Sequence, residues 1–262
     1  MLQKLFQIDA FTDQLYSGNP AAVCILENWI DDSIMQKIAR ENNLAETAFA
    51  VRDGSQYIIR WFTPELEVDL CGHATLATAY VLFNYYDLNV SIIEFFSPRS
   101  GKLLVEKGEN GLFILDFPTD DIKTIAPIQT LNTAIGKNPV YSLKGKTDYL
   151  LIYNNQEEIE QLMPNFFLLN QIDARGIIVS APGEEVDFVS RFFTPQCGVN
   201  EDPVTGSAHT SLIPYWSKVL GKSTLVAKQL SKRGGDIYCE FLDKRVKIAG
   251  RAVSYLKGEI II

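Results

Sequence analysis

Glu46, His73 and Asp202 are the side chains whose types and surroundings suit proton transfer. Glu46 stands alone in Leu44-Ala45-Glu46-Thr47-Ala48-Phe49, between neighbours that are apolar or nearly so. A carboxyl group taken out of water has a raised pKa and can take and return protons near neutral pH. A Glu on an exposed strand edge would not, and the sequence alone leaves both open. His73 follows Gly72 and opens the nearly all-apolar stretch 73–86. An imidazole there is either the cap of its own helix or an acid–base group. Asp202 lies just ahead of Thr205-Gly206-Ser207. Its commoner role would be an N-terminal cap, its alternative a third polar member of a catalytic set.

Anion binding is the second chemistry in view. Gly72-His73-Ala74 and Gly206-Ser207-Ala208 each stand where a long helix is expected to begin. A helix start presents unsatisfied N–H groups and roughly half a positive charge, and glycine lets a ligand approach the backbone closely. One such start alone is usually just packed against a sheet. Two starts facing one another across a cleft would suit a small carboxylate, so a small anionic metabolite is the expected partner. Cys71 and Thr205 precede the two glycines at matching positions. A threonine hydroxyl is far too weak an acid to replace a thiol at neutral pH, which disfavours two-thiol racemisation and leaves Cys71 as a buried residue near the cleft. Cys24, Cys71, Cys197 and Cys239 lie far apart with no C-x-x-C pair, and the chain has two histidines; no metal site is expected.

The elements that must position these groups come in duplicate. Arg60-Trp61-Phe62-Thr63-Pro64 returns as Arg191-Phe192-Phe193-Thr194-Pro195, an offset of 131 residues. Gly72-His73-Ala74 returns as Gly206-Ser207-Ala208, and Ser97-Pro98-Arg99-Ser100-Gly101 as Ser231-Lys232-Arg233-Gly234-Gly235, both at 134. Three echoes in one order, separated by a single short insertion, imply two copies of one lobe related by a pseudo-twofold, assigned to 1–120 and 121–262. Alternation and apolar runs predict strands at 6–11, 21–26, 47–51, 57–62, 92–96, 102–106 and 112–117, with Asp53-Gly54 as a hairpin turn. A helix capped by Asp31-Asp32-Ser33 runs to about Asn42, and the buried helix 73–86 is central. The second copy repeats this with strands at 149–153, 176–180, 187–193, 224–227, 235–242 and 245–250, a short helix at 156–162 and a helix from 207 to about 220. The fold class expected is α+β, each lobe a curved, mostly antiparallel, barrel-like sheet around one central helix, with the stretch after Pro118 as linker.

Composition narrows the partners. In 262 residues, 24 Lys+Arg against 32 Asp+Glu give a net charge of −8, which argues against nucleic acid. No apolar stretch approaches the roughly 20 residues that cross a bilayer. The N-terminal residues from Met1 to Phe6 run straight into patterned sequence without a leader-like apolar segment, and the cysteine usage suits a reducing compartment, so a cytoplasmic location is expected.

Six segments together resemble one known family. Asp9-Ala10-Phe11-Thr12 with Gly18-Asn19-Pro20-Ala21-Ala22-Val23, Asn43-Leu44-Ala45-Glu46-Thr47-Ala48-Phe49, Phe62-Thr63-Pro64 with Asp69-Leu70-Cys71-Gly72-His73-Ala74-Thr75, and Glu201-Asp202-Pro203-Val204-Thr205-Gly206-Ser207-Ala208-His209 are similar to the PhzF, or phenazine-biosynthesis-like, isomerases, from about residue 7 to 250. The resemblance implies the two-lobed diaminopimelate-epimerase fold, a homodimer, and a cofactor-independent isomerase working by proton transfer. In the phenazine enzyme the substrate is trans-2,3-dihydro-3-hydroxyanthranilate. Carried over by motif, Glu46 is the catalytic acid/base, and His73 and Asp202 are its polar partners. Ser207 with the N–H groups around Gly72 and Gly206 binds substrate, as does Asn19 of the Gly-Asn-Pro loop. Two alternatives are an amino-acid or hydroxy-acid racemase or epimerase, and a non-catalytic protein that keeps the cleft for a metabolite.

Overall fold

The computed structural model describes residues 2–262; Met1, at the head of the segment searched for a leader, lies outside them. Among the described residues no helix is long and apolar enough to cross a membrane. The chain divides into two compact units, one running to Asp116 and taking up Ala249–Ile262, the other Phe117–Ile248.

The first unit contains β1 (Leu2–Ala10), β2 (Asn19–Leu26), α1 (Asp32–Asn42), β3 (Glu46–Asp53), β4 (Gln56–Phe62), β5 (Glu67–Val68), α2 (Gly72–Tyr85), β6 (Ile92–Ser97), β7 (Gly101–Lys107) and β8 (Phe113–Pro118). The second runs through β9 (Lys123–Ile125), α3 (Gln129–Ile135), β10 (Tyr141–Lys144), β11 (Asp148–Ile152), α4 (Gln156–Glu160), α5 (Phe166–Leu169), β12 (Gly176–Pro182), β13 (Phe188–Thr194), β14 (Val199–Asp202), α6 (His209–Leu220), β15 (Thr224–Gln229), β16 (Gly235–Leu242) and β17 (Arg245–Gly250). The last strand, β18 (Ala252–Ile261), returns to the first unit.

The sheet pairings repeat between units. β2 runs parallel to β3, β3 antiparallel to β4, β4 antiparallel to β5 and parallel to β6. In the second unit β11, β12, β13, β14 and β15 pair in the same senses. The apolar stretch expected as a central helix is α2. It packs against β1, β2, β3, β7 and β18 and buries residues on every face. A helix so enclosed must satisfy its own polar groups. Thr75 Oγ1 donates to the Cys71 carbonyl at 2.6 Å and Thr78 Oγ1 to that of Ala74 at 2.7 Å. On the other face of the first sheet, α1 buries Met35 and Ala39 with Cys24, Phe49 and Phe62. The corresponding layer of the second unit sets Leu131, Ile159 and Leu169 against Ile177, Val179 and Phe193.

One ion pair makes the repeat visible in side chains. Arg60 Nε lies 2.7 Å from Glu67 Oε1, and Arg191 Nε lies 2.7 Å from Glu201 Oε1. Each guanidinium also covers a ring, Phe62 at 5.2 Å and Phe193 at 4.9 Å. The short insertion therefore falls before Glu201, in the turn Pro195–Cys197 closed by Gly198 at φ 86°.

Three expectations need correction. A division at residue 120 leaves the last strand in the wrong unit. β18 pairs with β1 from Ala10↔Ala252 to Leu2↔Ile261, covering backbone that would otherwise be an exposed edge. The stretch after Pro118 is not simply a linker, because Lys123–Ile125 pairs with β10. The helix expected from Ser207 begins at His209; residues 206–208 form a turn in which His209 N–H donates to the Gly206 carbonyl at 3.0 Å and Thr210 N–H to that of Ser207 at 3.2 Å.

Candidate active site

In the first unit, three element starts bring Asn19, Glu46 and His73 together. Asn19 is the first residue of β2, Glu46 the first of β3, and His73 the second of α2. The loop before Asn19 depends on Gly18, which has φ 66°; a Cβ there would stand 2.2 Å from the Ala10 carbonyl oxygen. Asp9 braces the same loop by accepting the Tyr16 N–H at 3.0 Å.

His73 fixes the electrostatics. Its ring is 5% exposed, and burial pushes its pKa from 6.5 down to about 3, so the imidazole is neutral. The Asn19 amide nitrogen, which can only donate, lies 3.1 Å from His73 Nδ1. Nδ1 is therefore the acceptor, and the ring proton sits on Nε2. Nε2 in turn lies 3.3 Å from Glu46 Oε2. The ring proton thus faces the Glu46 carboxylate across this contact, without hydrogen-bond geometry between Nε2 and Oε2. Glu46 keeps 18% of its side chain exposed while Asn19 is fully buried, so the carboxylate is the member a ligand can reach.

Cys71 Sγ lies 3.4 Å from His73 Nδ1. Glu46, Cys71 and His73 place ligand-type atoms within 4.8 Å of one another, the composition a metal ion could use. The tautomer set by Asn19 leaves the proton on Nε2, the nitrogen that faces Glu46, so that nitrogen is not a ligand in this state.

In the second unit, Asp202 ends β14 opposite Phe192. It accepts a short hydrogen bond from Thr205 Oγ1. Gln229, fully buried at the end of β15, holds this turn: its Oε1 accepts the Thr205 N–H at 2.9 Å and its Nε2 donates to the Asp202 carbonyl at 2.8 Å. Asp202 is thus part of a tied turn rather than a cap of α6. Ser207 Oγ accepts from Arg175 Nη1 at 2.9 Å. His209 is fully buried with its pKa down at about 4, donates from Nδ1 to the Thr205 carbonyl at 2.8 Å and lies 5.9 Å from the Phe188 ring. Its contacts are those of a structural residue.

Of the residues singled out, Asn19, Glu46 and His73 meet in the first unit, with Gly72 between Cys71 and His73 at the start of α2. Asp202, Gly206 and Ser207 share one turn of the second unit. Sequence reasoning misses Gln229, Arg175 and Asp148. A glutamine ending an alternating strand and an arginine just before an apolar one are the local signals they leave.

Residues 8–258 match the family model described as phenazine biosynthesis-like protein, PhzC-PhzF. The chain is 49% identical over 261 residues to an uncharacterized isomerase of Pseudomonas aeruginosa, with 99% of each chain covered. A PhzF-family phenazine biosynthesis protein of Enterococcus faecalis superposes with a TM-score of 0.97 at 46% identity, covering 100% of both chains. A hydroxyproline epimerase of Agrobacterium vitis, 9% identical, shares the fold with a TM-score of 0.64 over 99% of this chain and 92% of that one. The match extends over nearly every element described above, and the chain belongs to the PhzF family of phenazine biosynthesis-like proteins, with the mixed α+β fold of the diaminopimelate-epimerase and proline-racemase type.

Proposed function

We propose that this protein is an isomerase that moves a proton on a small carboxylate-bearing metabolite, ring compounds included, using its own side chains as proton carriers. The observation that carries the reading is the neutral His73 held by Asn19 and set 3.3 Å from Glu46. In this reading the Glu46 carboxylate takes a proton from a substrate carbon as the C–H bond breaks, and the electron pair left behind is delocalised towards the substrate's own unsaturation or carboxyl group. The protonated Glu46 then returns the proton to a different carbon, and the enzyme is restored. His73 stays neutral throughout and faces the carboxylate with its Nε2 proton. Within the second unit, Asp202 is tied to Thr205, and Ser207 with the Gly206 backbone is suited to hold a carboxylate.

The racemase alternative requires an acid at Thr205. That hydroxyl is already spent as a donor to Asp202, which favours the single-carboxylate reading. A metabolite screen in heavy water identifies compounds that gain deuterium. Replacing Glu46→Gln is then expected to lower exchange into such a compound by roughly 10²–10⁴-fold, with an unchanged melting profile. Unaltered exchange in Glu46→Gln sinks the assignment. Ligand binding that survives loss of Glu46 and His73 together, in a protein that exchanges nothing, would return the chain to the class of metabolite-binding proteins.

A further inference from the structure

Arg175 is the cation next to the serine assigned above to the substrate carboxylate, and the structure holds it from several sides. Its backbone is tied on both sides, its N–H donating to the Thr147 carbonyl at 3.0 Å and its carbonyl accepting from Thr194 Oγ1 at 2.9 Å. Its guanidinium forks onto Asp148, which is 4% exposed, with Nε 2.9 Å from Oδ1 and Nη2 paired with Oδ2. Below it lies the Phe192 ring, with its centroid 5.4 Å from the guanidinium carbon. That ring fits only because the next residue is Gly176, where a Cβ would stand 2.2 Å from Phe192 Cζ. Two of the three nitrogens are occupied by Asp148, and the third, Nη1, donates to Ser207 Oγ at 2.9 Å.

A hydroxyl that accepts from a fixed guanidinium has its lone pair engaged, so its own proton is turned away from Arg175. A serine rotor is thereby converted into a donor of set direction, polarised by the adjacent cation. Residue 175 also stands at a telling place in the repeat. At the offset of 131 its counterpart is Leu44, two residues before Glu46, whereas Glu46 itself has Ile177 as its counterpart. Each lobe thus places one functional side chain at the start of the same strand, an acid in the first and a carboxylate-paired cation in the second.

We propose that Arg175 is a positioning residue for carboxylate binding, acting through Ser207 and locked in turn by Asp148. The assignment rests on the reading of Ser207 as a carboxylate contact. Arg175 stiffens and orients the donor rather than touching the substrate, and the ligand class it favours is a planar or small monocarboxylate over its uncharged amide.

The probes are benzoate and benzamide, titrated by saturation-transfer NMR into the full-length protein. The wild type is expected to prefer benzoate by about tenfold, one charge-assisted hydrogen bond's worth. Arg175→Lys keeps a cation for Asp148 but has no second arm for Ser207, and is expected to lose most of that preference, as Ser207→Ala does. The double variant should lose no more than either single one, because one interaction is being removed twice. In Arg175→Lys benzamide affinity should fall much less than benzoate affinity, a selective loss that a merely structural lesion would not give. If Arg175→Lys fails to fold, Arg175→Gln with Asp148→Asn removes both charges of the pair and carries the same expectation.

Retention of the wild-type preference in Arg175→Lys, with loss in Ser207→Ala, overturns the role of Arg175 and leaves Ser207 in place. Losses that add in the double variant overturn the route through Ser207. A wild type that does not distinguish benzoate from benzamide overturns the carboxylate reading of Ser207 itself, and the assignment of Arg175 falls with it.

Discussion

The two lobes share a scaffold and differ at the positions that do chemistry. Arg60 with Glu67 and Arg191 with Glu201 are the same ion pair, built at the same strand pairing and over the same ring position. Around that constant, the matching residues diverge: Glu46 against Ile177, Val68 against Asp202, His73 against Ser207, Cys71 against Thr205, Leu44 against Arg175. What both lobes keep is what the fold requires, and what only one carries is what the fold can spare. Architecture and function are therefore separable within this one chain, without appeal to any other sequence.

The sharpest way to break that separation is to give the first lobe the residue of the second. Glu46→Ile is expected to abolish proton exchange by the same roughly 10²–10⁴-fold as Glu46→Gln, and to fold and melt like the wild type. A Glu46→Ile variant that does not fold would mean that the carboxylate belongs to the architecture after all.

Acid titration asks whether the two histidines, one in each lobe, behave alike. His73 and His209 are lowered by burial from 6.5 to about 3 and about 4. The unfolded chain takes up protons below about pH 6.5 that the folded chain refuses, so stability is full above that pH and falls as the pH drops towards 4. With both sites the slope approaches about 2.7 kcal/mol per pH unit, at 1.36 kcal/mol per proton. His209→Gln should halve it in urea melts taken between pH 6.5 and 4.5. An unchanged slope would show that His209 gains its proton in the folded state, and that the two buried rings are not equivalent. Activity should not follow either value, since neither ring titrates near neutral pH.

The paired ion pairs provide a smaller and more discriminating effect. Glu67 keeps a second guanidinium, Arg99 Nη2 at 2.8 Å, when Arg60 is removed. Arg191 is the guanidinium on Glu201, and its Nη1 also ties the Ile159 and Leu162 carbonyls at 3.1 and 3.0 Å. Both arginines are well covered, at 16% and 13% exposed. Arg191→Met is expected to cost about 3 kcal/mol and Arg60→Met about 1–2 kcal/mol less than that, read from denaturant midpoints. Equal losses would mean that Arg99 does not substitute for Arg60.

Much of this is legible in the sequence, and the exceptions have physical causes. α1, α2, β3, β4 and their hairpin follow from hydrophobic period and turn chemistry, which are local. β18 escapes a sequence reading because its residues are largely exposed or half-buried and its partner β1 lies at the opposite end of the chain. Glu46, His73 and Asn19 are legible through their unusual neighbours and motif. Arg175 is not, because Asp148 and Ser207, which give it meaning, are 27 and 32 residues away. Asp202 stands out as a site residue, yet Gln229, which fixes its turn from 27 residues further on, leaves no signal beyond a polar residue on the buried side of an alternating strand.

The smallest expected effect concerns the outer helices, where the lobes solve one problem differently. The sequence offers Asp31-Asp32-Ser33 as the cap of α1; Asp31 takes that position and its backbone carbonyl accepts from Ile34 and Met35 at 2.9 and 3.1 Å, but its side chain makes no capping hydrogen bond. In α4 the corresponding role falls to Asn155, whose Oδ1 accepts the Glu158 N–H at 3.0 Å. A cap that works through its side chain is worth about 1 kcal/mol, whereas an exposed acid near a helix start that makes no such bond contributes only a few tenths through the dipole. Asn155→Ala should therefore lower stability by about 1 kcal/mol and Asp31→Ala by less than about 0.5 kcal/mol. The longer helix α1 is the one held by its apolar face, through Met35 and Ala39, while the single turns of α4 need their polar cap. If Asp31→Ala proves the costlier of the two, the side chain caps α1 in solution, and the difference drawn between the outer layers of the lobes disappears.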